Sequence, residues 1–75
     1  MTPTTSVRQD GAAIRELRIR AGVEMATLAR QIGRHPKTLQ HIEHGTRSAS
    51  PVTISQIANA LGIDPKVITR QDVAA

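Results

Sequence analysis

Gly33 and Pro36 stand three residues apart between two apolar patterns of helical period, and this punctuation constrains the fold more than any other feature of the chain. Upstream, Met25, Leu28, Ala29 and Ile32 fall at i, i+3, i+4 and i+7, one apolar face of a helix. Gly33 follows where a left-handed residue ends such a helix. Pro36 suits a first helical position, because its missing N–H had no intrahelical partner and its fixed φ is already helical; His35 then becomes the cap. A turn this short makes the two helices cross steeply. In the second, only Leu39 and Ile42 are apolar and point inward, which leaves Lys37, Thr38, Gln40, His41 and His44 on the outer surface. These side chains are suited to base edges or phosphates.

The rest of the chain must build a core around this pair, and 75 residues with no Phe, Trp or Tyr limit how. A single domain of this size buries only about 60% of the surface its unfolded chain exposes. Ile, Leu, Val, Ala and Met fit closely packed short helices better than a cavity for a large cofactor, and no cofactor is expected. The absence of cysteine excludes a disulfide framework and thiolate chemistry. The apolar runs are too short to span a bilayer, and the N-terminus lacks the apolar stretch of a secretory signal, so a cytoplasmic protein is expected.

The formal net charge is +4. Arg15, Arg18, Arg20, Arg30, Arg34, Lys37 and Arg47 outnumber Glu16, Glu24 and Glu43 between Ile14 and Arg47, which gives this part of the chain a field attractive to a polyanion. Catalysis finds no foothold: the Ser and Thr residues sit in caps and loops, and no His–acid pair lies beside a nucleophile. His35, His41 and His44 lack the carboxylate or thiolate that would complete a metal set.

Flanking segments extend the helical reading. Met1–Thr5 has no apolar periodicity and reads as a disordered tail. Helix one starts between Ser6 and Asp10: Ser6 with Gln9 forms a capping box, and Asp10 is an alternative cap. Ile14, Leu17 and Ala21 continue its inward face, Gly22 closes it, and Gly11 is a cap or a close packing contact. Helix two begins near Glu24 or Met25. Ser50 and Pro51 open helix four, which sets Ile54, Ile57, Ala58 and Leu61 inward and ends at Gly62. Asp64-Pro65 opens a short fifth helix that sends Val67 and Ile68 to the core, and Arg70 to Ala75 should fray. The expected architecture is all-α and five-helical, with its ordered domain over residues 6–69.

Arg18 before Gly22, Leu28-Ala29, Gly33, Leu39, Ile42-Glu43, Gly45, Ile57-Ala58 and Leu61-Gly62 stand in an order and spacing similar to those of the lambda-repressor/Cro-like helix-turn-helix group, also called the xenobiotic response element family. The resemblance covers roughly Gly11 to Thr69. It implies that the Pro36–His44 helix enters a DNA major groove, with base contacts at Lys37, Gln40, His41 and their neighbour Thr38. Residues at i, i+3 and i+4 share a face; Lys can donate to guanine O6 and N7, and Gln can pair with adenine N6 and N7. Phosphate contacts are expected from Arg34, His44 and the Thr46-Arg47-Ser48 loop, and from the start of helix two at Met25. There the family usually carries a Ser or Thr cap followed by Gln, whereas this chain has Glu24 and Met25. The family also pairs an Arg at the position of Arg18 with a Glu at that of Glu43, a bridge that sets the angle of the recognition helix.

The resemblance therefore implies a sequence-specific binder of double-stranded DNA, a transcriptional regulator acting as a repressor. A weak homodimer assembling on an inverted-repeat operator would supply enough contacted base pairs. The alternative is a protein-interaction module of the same fold, such as an antitoxin.

Overall fold

The structure, a computed structural model, describes residues 5–73, with side chains described for 8–70. Four α-helices lie between two short strands: β1 (Thr5–Gln9), α1 (Gly11–Arg20), α2 (Met25–Gln31), α3 (Pro36–His44), α4 (Pro51–Leu61), a single 3₁₀ turn (Pro65–Ile68) and β2 (Thr69–Val73). The fold is that of a small helical helix-turn-helix domain. Each cap follows from its residue type. Asp10, His35, Ser50 and Asp64 accept hydrogen bonds from the backbone N–H groups of Ala13, Lys37, Thr53 and Lys66, each satisfying a donor that the first turn leaves without a partner.

The helix ends are equally uniform. At the end of α2, Gly33 adopts φ +69°, its N–H donates to the Arg30 carbonyl, and the Arg34 N–H donates to the Ala29 carbonyl at 2.8 Å. This pair of bonds is the Schellman arrangement, and it needs a residue with no side-chain penalty in the left-handed region. The same pair of bonds closes α3 at Gly45, where the Thr46 N–H reaches back to the His41 carbonyl.

Ile14, Leu28, Ala29, Ile32, Leu39, Ile42, Ile54, Ile57, Ala58 and Ile68 form the buried core. Leu17 and Leu61 are half-buried against it. Two residues assigned inward by spacing are not there: Ala21 caps α1 and is exposed, and Val67 is 53% exposed. A 3₁₀ turn brings round a side chain every third residue, so in four residues only Ile68 reaches the core.

At the ends of the chain one open alternative is decided and three expectations give way. Helix one does not start at Ser6, because Ser6 and Gln9 lie in β1 and the Asp10 cap is the one that forms. Arg70 to Val73 form strand in place of a frayed end, pairing antiparallel with β1 so that Arg8 stands opposite Arg70 and Gln9 opposite Thr69. The fifth helix is one 3₁₀ turn, since the Ile68 carbonyl accepts from the Asp10 N–H at 2.7 Å and the chain runs on into the sheet. Of the expected disordered tail Met1–Thr5, Thr5 instead opens β1, and residues 1–4, like 74–75, lie outside the described residues. No helix among the described residues is long and apolar enough to cross a membrane.

Candidate nucleic-acid interface

α3 presents the site because of how it is held. Leu39 and Ile42 are buried, and so is Glu43, whose side chain is 1% exposed. Arg18, reaching from α1 with its side chain 11% exposed, meets that carboxylate with Nε on Oε2 at 2.8 Å and Nη2 on Oε1 at 3.2 Å. Its remaining Nη1 donates to the Val23 carbonyl at 3.0 Å. Two parallel bonds between planar groups fix orientation as well as distance, so α1 and α3 are locked at one angle. The pair is buried and fully hydrogen-bonded, the condition under which burying charge is tolerable.

Near the same point the backbones of α1 and α3 almost touch. A methyl group on Gly11 would overlap the Glu43 carbonyl oxygen and come within 2.7 Å of that of Ile42. Of the two roles open to Gly11, close packing is therefore the one it fills.

With that inner face fixed, Lys37, Gln40, His41 and His44 are exposed on the outside of α3, and Thr38 is half-buried at its edge. Thr38 shares a polar groove with Arg34, Arg47, Ser48, Ser50 and Thr53, so three of the expected phosphate contacts come together beside one of the expected base contacts. Arg34 Nη2 donates to the Thr53 hydroxyl at 3.3 Å, which holds the guanidinium along the start of α4. His41 and Thr46 also meet: Nδ1 lies 3.0 Å from the Thr46 Oγ, and that hydroxyl reaches the His41 carbonyl at 3.3 Å. When the hydroxyl donates to the carbonyl, Nδ1 must be the donor to the hydroxyl, and Nε2 of the neutral ring is left as an acceptor facing outward.

Met25 contributes differently from the others. Its side chain is half-buried against the core and carries no donor, so this end of α2 offers a phosphate only backbone N–H groups, beside a Glu24 that makes no side-chain cap bond. His35 is engaged as the α3 cap through Nδ1. The described residues hold no cluster of three His, Cys, Asp or Glu suited to a metal ion.

One residue that shapes the interface was not visible from spacing. Gln9, at the end of β1 and 8% exposed, donates through Nε2 to the carbonyls of Arg47 at 2.6 Å and Ile42 at 3.4 Å, and its Oε1 accepts from the Ala49 N–H at 3.1 Å. It clamps the loop after α3 from behind. Its signal in the sequence pointed elsewhere, to a capping box with Ser6.

The profile of the helix-turn-helix domain family matches residues 11–71, from the first residue of α1 into β2. The chain belongs to this family. Among solved structures, this helix-turn-helix protein is similar to the restriction-modification controller protein C.AhdI from Aeromonas hydrophila, with 37% identity over 76% of this chain and 86% of that one and a TM-score of 0.73. It is also similar to the clp gene regulator ClgR from Corynebacterium glutamicum, with 30% identity, a TM-score of 0.73, and coverage of 75% of this chain and 60% of ClgR. SinR, the master regulator for biofilm formation solved in complex with DNA, shares the fold at 21% identity and a TM-score of 0.70. No curated protein matches the sequence. These neighbours place the helix-turn-helix protein in the lambda-repressor/Cro-like group.

Proposed function

We propose that this protein is a transcriptional regulator that binds double-stranded DNA by laying α3 in the major groove. The observation that carries the reading is the division of α3 into two faces. Leu39, Ile42 and Glu43 are buried, whereas Lys37, Gln40, His41 and His44 project outward beside the polar groove of Arg34, Arg47 and Ser48. Likeness to C.AhdI and ClgR, by name a controller protein and a gene regulator, supports the same reading.

In this reading Lys37, Gln40 and His41 contact base edges, with Thr38 at the margin of the same face. Lys37 donates to guanine, Gln40 pairs with adenine, and the outward Nε2 of His41 accepts from an exocyclic amine. Arg34, His44, Thr46, Arg47 and Ser48 hold phosphates, and so does the first turn of α2 at Met25 through its backbone; these set register without reading sequence.

One recognition helix reads only a few base pairs, so two copies bind an inverted repeat whose half-site centres lie about 34–36 Å apart. Ile19, Val52 and Val67, 53%, 66% and 53% exposed, are the large apolar side chains exposed among the described residues, and they supply little surface for a permanent dimer, so assembly is weak in solution and cooperative on DNA. The protein acts as a repressor in the cytoplasm, on the nucleoid. Selection of bound duplexes from a random pool tests binding, sequence and spacing together. The reading expects an enriched inverted repeat occupied by two chains; a pool that stays random after repeated rounds rejects it.

A further inference from the structure

Outside the helix-turn-helix, the sheet that the sequence did not announce places two arginines against each other. Arg8 and Arg70 are directly opposed in the antiparallel register, and both are exposed. Directly opposed residues project from the same face of an antiparallel pair, and like charges in that position destabilise it. Among residues 8–70, whose side chains are described, the ion pairs are Arg18–Glu43 and Arg20–Glu16.

The two arginines line a single open polar pocket with His44 and Gly45 at the end of α3. Two carboxylates, those of Asp10 and Glu43, also belong to its lining, and each already accepts hydrogen bonds within the fold. Asp10 Oδ1 accepts from the Ala13 N–H at 3.1 Å as the α1 cap, and both Glu43 oxygens are taken by Arg18. The pocket therefore gathers two guanidinium groups and the His44 imidazole beside the last turn of the recognition helix, with the Glu43 charge matched by that of Arg18.

We infer that Arg8, Arg70 and His44 form a binding site for a phosphodiester of the DNA backbone just outside the base pairs read by α3. This rests on the DNA-binding reading above and extends it to a segment that the helix-turn-helix pattern does not contain. His44 is the link: it is on α3 and simultaneously in the wall shared with the β1–β2 ribbon. Two guanidinium groups facing one phosphate offer the bidentate donors that this anion favours, and the anion in turn relieves the repulsion between them. The ribbon then acts as a flanking clamp that lengthens the footprint without reading sequence.

The test pairs the double variant Arg8→Ala/Arg70→Ala with duplexes of a selected site in which single flanking phosphates are replaced by neutral methylphosphonates. With the wild-type protein, one replacement outside the half-site is expected to weaken binding several-fold, and the same replacement should cost the double variant nothing. The salt dependence of log K should also fall by about 0.9 in the double variant, the value for one phosphate contact, with the ranking of base-pair variants unchanged. Thermal melting of the free double variant should match or exceed that of the wild type, because a repulsion has been removed, which separates loss of contact from loss of fold. Equal salt slopes and equal methylphosphonate profiles for the two proteins overturn the inference while leaving the DNA-binding reading intact. It is likewise overturned if inorganic phosphate raises the melting temperature of the wild type but not of the variant while their DNA profiles coincide, since the site then serves a free anion. Wild-type protein that binds no duplex removes the DNA-binding reading and this site with it.

Discussion

Replacing Arg18 by alanine leaves the Glu43 carboxylate, 1% exposed, in the interior with neither of the two bonds it receives from the guanidinium. Breaking a buried pair from one side costs about 3–5 kcal/mol, because the remaining charge keeps its desolvation penalty and loses its partner. A chain of this length has a total stability of about 4–11 kcal/mol, so the variant should lose a large part of it. The reverse substitution, Glu43→Ala, should cost less. Arg18 is 11% exposed and keeps its bond to the Val23 carbonyl, so its orphaned charge has both water and one acceptor within reach. Replacing both partners by apolar residues of similar size, Arg18→Met with Glu43→Leu, should recover most of the loss, since buried pairs and their apolar isosteres are often of similar stability. Urea unfolding at neutral pH of the three variants and the wild type gives the order directly. Arg18→Ala within a few tenths of a kcal/mol of wild type, or the double variant less stable than Arg18→Ala, would refute the reasoning that the pair is buried and mutually dependent.

Other outcomes follow from contacts of the same kind. Gly11→Ala should destabilise the domain by about 1–3 kcal/mol through overpacking, because the clash is with the backbone of α3 and not with a movable side chain; thermal melts would show it, and an unchanged Tm would mean that α1 and α3 separate easily. Gln9→Ala should weaken binding to all duplexes to a similar degree while sparing discrimination, since it releases the loop of Arg47 and Ala49 without touching a base-reading residue. A selective loss at one base pair would count against that role. Sedimentation of the free protein at micromolar concentration should find mostly monomer, and of its complex with a selected duplex two chains; one chain saturating an asymmetric site would contradict assembly on DNA.

The helical part of this fold was legible in the sequence because its signals are local. Pro36 and Pro51 mark the first residues of α3 and α4, and His35, Ser50 and Asp64 cap as their types and positions require. Gly22, Gly33 and Gly62 stop their helices with positive φ. What escaped was the pairing of β1 with β2, which joins the two ends of the chain. TSVRQ and TRQDV lack a clean alternation of apolar and polar residues, and nothing within either strand reports a partner some 60 residues away. Missing the ribbon also hid Gln9 as the loop clamp and the meeting of Arg8 with Arg70, since both depend on that register. Val67 failed for a related reason: helical spacing was applied to a segment that makes a single 3₁₀ turn. At the interface, residue types and i, i+3, i+4 spacing gave the outward face of α3. They were silent on the groove that joins Thr38 to Arg34 and Arg47, which depends on how α4 packs.

The central claim is that α3 reads sequence, and titration of Lys37→Ala, Gln40→Ala and Arg47→Ala against a selected duplex and its single-base variants, at several salt concentrations, tests it most directly. Lys37→Ala and Gln40→Ala should each lose about 1–3 kcal/mol of discrimination at one base pair, whereas Arg47→Ala should weaken every duplex alike and flatten the salt dependence by about one contact. Uniform loss with specificity intact in both Lys37→Ala and Gln40→Ala would contradict the account, because the exposed face of α3 would then hold phosphates and the sequence would be read elsewhere.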